Sequence, residues 1–264
     1  MKVRSDDADI FYHVLGDGPD VVLLHAFPLN HRMWLPVAER LALRYRVTMV
    51  DLRGHGQSGV GKGPATMEKH ALDLARVCHE VGIGKAVFGG VSIGGYVLFE
   101  FWRRFRERVR ALILCDTRAQ SDTAEARATR LQSAAEVENS GPDNFLDGLM
   151  PKLAGESTRR NRPDLVSELR SMMSQMTAAG IAAVQRGMAE RPDSVPTLAN
   201  IDVPTLLLFG DEDMATPPSE AENVRRQIRQ SELVVVPRAG HFSVFEQQEL
   251  AHEVVRKFLE SLRG

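Results

Sequence analysis

The sequence predicts an α/β domain: a mostly parallel central sheet flanked by helices, with a helical lid inserted into it. Three observations predict it. Short apolar runs rich in Val, Leu and Ile recur along the 264 residues, and most lack the polar alternation of a half-exposed strand, as suits strands buried on both faces. Segments of helical period stand between these runs, and parallel neighbours need such crossovers. The alternation then stops after Thr117 and resumes only near residue 201.

Taken in order, residues 10–15 predict an antiparallel edge strand, and residues 21–25 and 46–52 predict the first core strands. In MEKHALDLARVCHEVG, Ala71, Leu74, Ala75, Cys78 and Val81 follow a helical spacing, and Gly82 reads as the C-cap. Residues 85–91 are the next strand, with a helix starting at Ile93, and residues 111–116 the one after. From 119 to 195 no strand-like run occurs, and Gly141, Pro142, Pro151, Pro163 and Gly180 mark off several helices. Strands return at residues 205–210 and 233–236, followed by a terminal helix. The expected division is a core of residues 1–118 and 196–264, with residues 119–195 as a helical cap (lid) over the carboxyl edge of the sheet.

Composition narrows the class of function. With 43% hydrophobic residues the chain can bury a large core. Lys and Arg total 33 against 35 acidic residues, a net charge of −2, which offers no general attraction to nucleic acid or an anionic membrane. The two cysteines, Cys78 and Cys115, lie in apolar runs and read as core residues rather than a disulfide or a metal site. The start, MKVRSDDADI, has no apolar segment after its cations, and no stretch is long and apolar enough to cross a bilayer. A cytoplasmic protein acting on a small molecule is expected, without metal or cofactor, as a monomer or homodimer.

The chemistry centres on GGVSIGGYV, which sets Ser92 among four glycines where a strand gives way to a helix. Gly90-Val91-Ser92-Ile93-Gly94 fits G-x-S-x-G, a turn so sharp that side chains two residues either side of the serine would collide. A glycine-rich helix cap would explain the glycines without chemistry. A serine nucleophile needs a base held by a third group. His241, in RAGHFSVFEQ, follows a strand and a glycine and is the preferred base. Asp213, three residues beyond Gly210, is the preferred acid, and Asp116, at the end of another strand, is its rival.

The order Ser92, Asp213, His241 is that of α/β-hydrolases. The chain resembles that superfamily over nearly its whole length, in VVLLHAFPLNHRMW, VDLRGHGQSG, GVSIGGYV, LILCDTRA, LFGDEDMATPP and RAGHFSVFEQ. With LILCDTRA and MAERPDS around the lid, it most resembles bacterial carboxylesterases related to the 3-oxoadipate enol-lactonases. The family's early loop reads His-Gly-x-Pro where this chain has His25, Ala26, Phe27 and Pro28. The resemblance thus implies that the Phe27 and Ile93 amides form an oxyanion hole, with His25 bracing the loop. Ala26 replaces the family's glycine, so the loop either avoids positive φ or carries strain. Asp51, Arg53 and His55 are expected to form ion pairs and shape a turn.

For substrate binding, Trp34 and Phe27 are expected near the oxyanion loop, and Met150, Met173 and Met176 in the lid, where helix packing would explain the methionines equally well. Arg127, Arg130, Arg159, Arg160 and Arg162 read either as a recognition site for a carboxylated substrate or as a solvated face. The expected activity is a cofactor-free serine hydrolase cleaving a small-molecule carboxylic ester or lactone through an acyl-enzyme. A perhydrolase and a slow-turnover small-molecule receptor are the other readings the same machinery allows.

Overall fold

A computed structural model of the chain describes residues 1–262. Among these, eight strands form one sheet in the order β1-β2-β4-β3-β5-β6-β7-β8. They are β1 (Lys2–Ser5), β2 (Ala8–Leu15), β3 (Asp20–Leu24), β4 (Arg46–Val50), β5 (Ala86–Val91), β6 (Val109–Cys115), β7 (Thr205–Gly210) and β8 (Ser231–Val236). β1 and β2 are antiparallel, and β2 runs antiparallel to β4. From β4 to β8 every pairing is parallel.

β1 escaped the sequence reading. Its four residues alternate exposed Lys2 and Arg4 with buried Val3 and Ser5, a pattern of period two that the search for continuous apolar runs passes over. In β5 and β7, by contrast, every residue is buried. The helices explain this. α1 (Leu35–Leu41) packs with the terminal α12 (Gln248–Ser261), and α2 (Met67–Val81) packs with α3 (Ile93–Phe105), so that two pairs cover the sheet. α2 opens with Thr66, whose side chain accepts from the Lys69 amide, and closes at Gly82 with φ of 75°, where a side chain would be strained.

Between β6 and β7 stand α4 (Ala124–Ser140), α5 (Asp143–Leu153), α6 (Glu156–Asn161), α7 (Pro163–Met173) and α8 (Ala178–Ala189), followed by the short α9 (Val195–Leu198). Gly141 caps α4 and Pro163 begins α7, as their residue types predict. Pro151 instead lies inside α5, in its last turn, and Gly180 lies in the first turn of α8, where its amide donates to Thr177 at 3.0 Å. α10 (Pro218–Arg225) and α11 (Ser243–Glu246) complete the core. No helix among the described residues is long and apolar enough to cross a membrane. Cys78 and Cys115 are buried and unpaired, and burial pushes the Cys78 thiol up to about 12.

Candidate active site

The candidate nucleophile, base and acids and the loop of His25 follow the carboxyl ends of parallel strands. His25 follows β3, Ser92 follows β5, Asp116 follows β6, and Asp213 comes after β7. Loops at this edge of a parallel sheet converge on one crevice.

Ser92 occupies the turn between β5 and α3 with φ of 53° and ψ of −110°, a conformation that costs a non-glycine residue of order 1–3 kcal/mol. Four hydrogen bonds fix it: its amide donates to Cys115 O, while its carbonyl accepts from Gly95 N, Tyr96 N and Thr117 Oγ1. A Cβ on Gly90 would lie 2.5 Å from the carbonyl carbon of Gly94. One on Gly94 would meet not Gly90 but Leu24, 2.9 Å from its carbonyl oxygen. The two glycines therefore do different work, one closing the turn on itself and the other letting the turn approach β3.

His241 is buried, and its Nδ1 lies 2.8 Å from Asp213 Oδ2 and 3.2 Å from Thr216 Oγ1. The Thr216 hydroxyl donates to the same Asp213 oxygen, so Nδ1 is the ring nitrogen that pairs with Asp213. The amides of Ala215 and Thr216 donate to Asp213 Oδ1 at 2.7 and 2.9 Å. Burial raises the Asp213 carboxyl, but the charge of His241 and the bonds from His241 and Thr216 outweigh it and leave the group below the usual carboxylate range.

Asp116 is also fully buried, yet its oxygens are taken elsewhere. Oδ1 accepts from Gly210 N at 2.8 Å, and Oδ2 accepts from the amide and hydroxyl of Ser243. Burial, reinforced by the nearby Asp213 charge, pushes its carboxyl well above the usual range. Of the two candidate acids, Asp213 is the one hydrogen-bonded to His241.

His25, Ala26, Phe27 and Pro28 follow β3. Ala26 is fully buried and is not among the residues with positive φ, so alanine replaces glycine there without backbone strain. His25 braces the loop: Nδ1 donates to Ala26 O at 3.0 Å, and Nε2 accepts from Leu52 N at 2.9 Å. Burial pulls its imidazole down to about 4, consistent with a neutral ring. Among the described residues, neither the Phe27 nor the Ile93 amide donates a loop or cap hydrogen bond. Asp51 accepts from the amide and ring of His31 and from Gln57 N, and Arg53 pairs with Asp73 and Asp7.

Ser92 and His241 share a cavity of about 230 Å³ whose walls include Phe27, Tyr96, Leu149, Leu153, Met188 and Thr216. Four side chains proposed to touch substrate are not brought there. Trp34 is fully buried and donates its ring N–H to Leu24 O at 2.9 Å, which makes it a brace beneath the loop. Met150 and Met173 line a separate cleft between α5 and α7 with Arg170 and Asp147. Met176 is buried after α7 and lines neither cavity. α5, α7 and α8 each bury an apolar face, and the period of the sequence does not say against what.

The cavity also holds residues the sequence reading missed. Arg118, Asp122 and Arg191 line it beside Arg130, whereas Arg127, Arg159, Arg160 and Arg162 are exposed. Asp122 holds both Arg130 and Arg191 at 2.6 Å, and the Arg191 guanidinium lies 4.5 Å over the Tyr96 ring. The sequence signal was available in LILCDTRA and MAERPDS, the two phrases that flank the insertion and carry Arg118 and Arg191.

A seam joins the segment between α5 and α6 to the loops that carry Asp213 and His241. His241 N donates to Leu153 O at 2.8 Å, and Ser157 N donates to Glu212 at 2.7 Å. Buried Glu246 accepts from Gly155 N, Gly240 N and Phe242 N. A Cβ on Gly240 would meet Leu153 O at 2.6 Å, so glycine permits this approach. No group of three or more His, Cys, Asp or Glu among the described residues is placed to hold a metal ion.

A protein family described as alpha/beta hydrolase fold matches residues 19–248. Over the whole of both chains, a thermophilic esterase from Thermogutta terrifontis, solved with malate bound, is 41% identical with a TM-score of 0.97. The enol-lactonase from Burkholderia xenovorans LB400 is 25% identical with a TM-score of 0.91, covering 98% of this chain and all of that one. In sequence, 3-oxoadipate enol-lactonase 2 of Acinetobacter baylyi is 26% identical over 98% of this chain and 96% of its own length.

Proposed function

The chain belongs to the α/β-hydrolase family, and from that premise we propose that it is a serine carboxyl-ester hydrolase working through an acyl-enzyme. The observation that carries the reading is the strained Ser92 opening onto the same cavity as His241, whose Nδ1 is bonded to Asp213. Similarity to an esterase at 41% identity supports it.

In this mechanism Nε2 of His241 takes the Ser92 proton as Oγ attacks the ester carbonyl, and Asp213 stabilises the resulting imidazolium. The Phe27 and Ile93 amides hold the oxyanion, each worth about 3 kcal/mol in the transition state. The imidazolium then protonates the departing alcohol. Water, deprotonated by His241, attacks the acyl-enzyme and releases the acid and the free serine. Residues 119–195 form the cap in this reading, and residues 1–118 with 196–264 the catalytic core. Ring-opening of a lactone follows the same steps, and the two enol-lactonase relatives support including lactones among the substrates.

The test is Ser92→Ala. The variant keeps the wild-type circular dichroism spectrum, loses hydrolysis of p-nitrophenyl esters by a factor of about 10⁴ or more, and is not labelled by an organophosphonate. Labelling at the wild-type rate would remove Ser92 from its role.

A further inference from the structure

The ester-hydrolase reading leaves unexplained why the cavity wall is so rich in arginine. Arg118, Arg130 and Arg191 face the same space as Ser92 and His241, and Asp122 is the carboxylate that lines it with them. Asp122 is shared: Arg130 reaches Oδ2 and Arg191 reaches Oδ1. Burial raises the Asp122 carboxyl, but these two cations outweigh burial and keep it ionised. Arg191 spends further donors on Gln120 O and Met188 O, and Arg130 on Gln185. Arg118 differs. Its guanidinium donates to the carbonyl of Ala215, on the loop between Asp213 and Thr216, and no carboxylate pairs with it among the described residues. Asp213, the nearest acid on that loop, is committed to His241 and Thr216.

Three guanidinium groups thus meet one lining carboxylate in a partly enclosed space, where an unpaired charge is costly unless a ligand neutralises it. A guanidinium presents a planar fork of donors that matches a carboxylate. We propose that Arg118, with Arg130 and Arg191 behind it, is an anion subsite, and that the substrates of this enzyme are esters bearing a second, ionised carboxylate. The proposal rests on the ester-hydrolase reading of the same cavity. Arg118 acts here on substrate binding; the bond-making steps remain with Ser92, His241 and Asp213.

The test compares monoethyl glutarate with ethyl pentanoate, which match in acyl length and differ in the terminal carboxylate. The wild-type enzyme favours monoethyl glutarate in kcat/KM. Arg118→Gln lowers the ratio of the two kcat/KM values by about tenfold or more, chiefly through KM, as expected for a lost charge-assisted pair. Arg118→Lys keeps part of the preference. A parallel titration of glutarate into Ser92→Ala reads the subsite without turnover, and adding Arg118→Gln weakens that binding by a similar factor. Equal kcat/KM for the two esters, or a ratio and a glutarate affinity unmoved by Arg118→Gln, would overturn the subsite. If neither ester is cleaved while glutarate binding still depends on Arg118, the subsite stands and the ester-hydrolase reading falls.

Discussion

Asp213 and Asp116 show how two carboxylates of similar position acquire opposite character. Both follow core strands, both are buried, and both accept from two amides and a hydroxyl, but Asp213 alone adds an imidazole, that of His241. Asp213→Asn is expected to lower kcat by about 10⁴-fold, because the amide cannot hold the required imidazole tautomer, and Asp116→Asn to cause a far smaller loss; steady-state kinetics on one ester decides the ranking. Stability carries the same contrast in its pH dependence. The folded Asp213 carboxyl lies below its unfolded value, so its contribution is complete above about pH 4 and is lost as pH falls through the folded value. Asp116 lies above its unfolded value, so its contribution is complete below about pH 4 and is lost as pH rises toward the folded value. Thermal melts should therefore show the gap between wild type and Asp213→Asn narrowing in acid, and the gap for Asp116→Asn shifting the other way. Chain order and strand ends were enough to single out Ser92, His241 and both acids as candidates, and the structure bonds His241 to Asp213. Which acid meets the histidine depends on where Gly210 and Ser243 point their donors, and no spacing records that.

At the scale of elements, the turn from β5 into α3 was legible because its glycines answer to sterics, which act locally. Gly90→Ala should destabilise the fold by about 1–3 kcal/mol, since its Cβ would press on the carbonyl carbon of Gly94 at 2.5 Å. Denaturant titration measures the loss; an unchanged midpoint would show that the turn relaxes instead. The buried strands were legible for a related reason, being apolar on both faces. β1 was not, because its signal is four alternating residues, and Pro151 misled as a helix boundary because a proline in a last turn removes only one donor. Trp34 was read from its place beside the oxyanion loop. Its ring N–H had a carbonyl partner in β3, and a buried indole is held by such a partner rather than by nearness to a site.

At the scale of the molecule, the insertion after Thr117 was visible as a loss of strand rhythm, while the direction each lid helix faces was not. α4 and α8 pack mainly on each other, so their apolar residues report a neighbour within the lid as readily as a ligand. The lid nevertheless shares hydrogen bonds with the histidine and acid loops through Leu153, Gly155 and Ser157. Heating should therefore unfold lid and core together: ester hydrolysis and far-UV circular dichroism should fall with one midpoint. A loss of activity well before the loss of ellipticity would show that the lid melts separately.

The same seam sets rules for recombination. Leu153 to Ser157 belongs to the insertion by position, yet its backbone is fitted to Gly240 and Glu246 as a strand is fitted to its neighbour. An insertion grafted from a relative with its boundaries at residues 119 and 195 would carry foreign chain against the backbone of His241. Retaining Leu153 to Ser157 from the host and exchanging the helices on either side would confine the change to the walls of the cavity that Ser92 and His241 share.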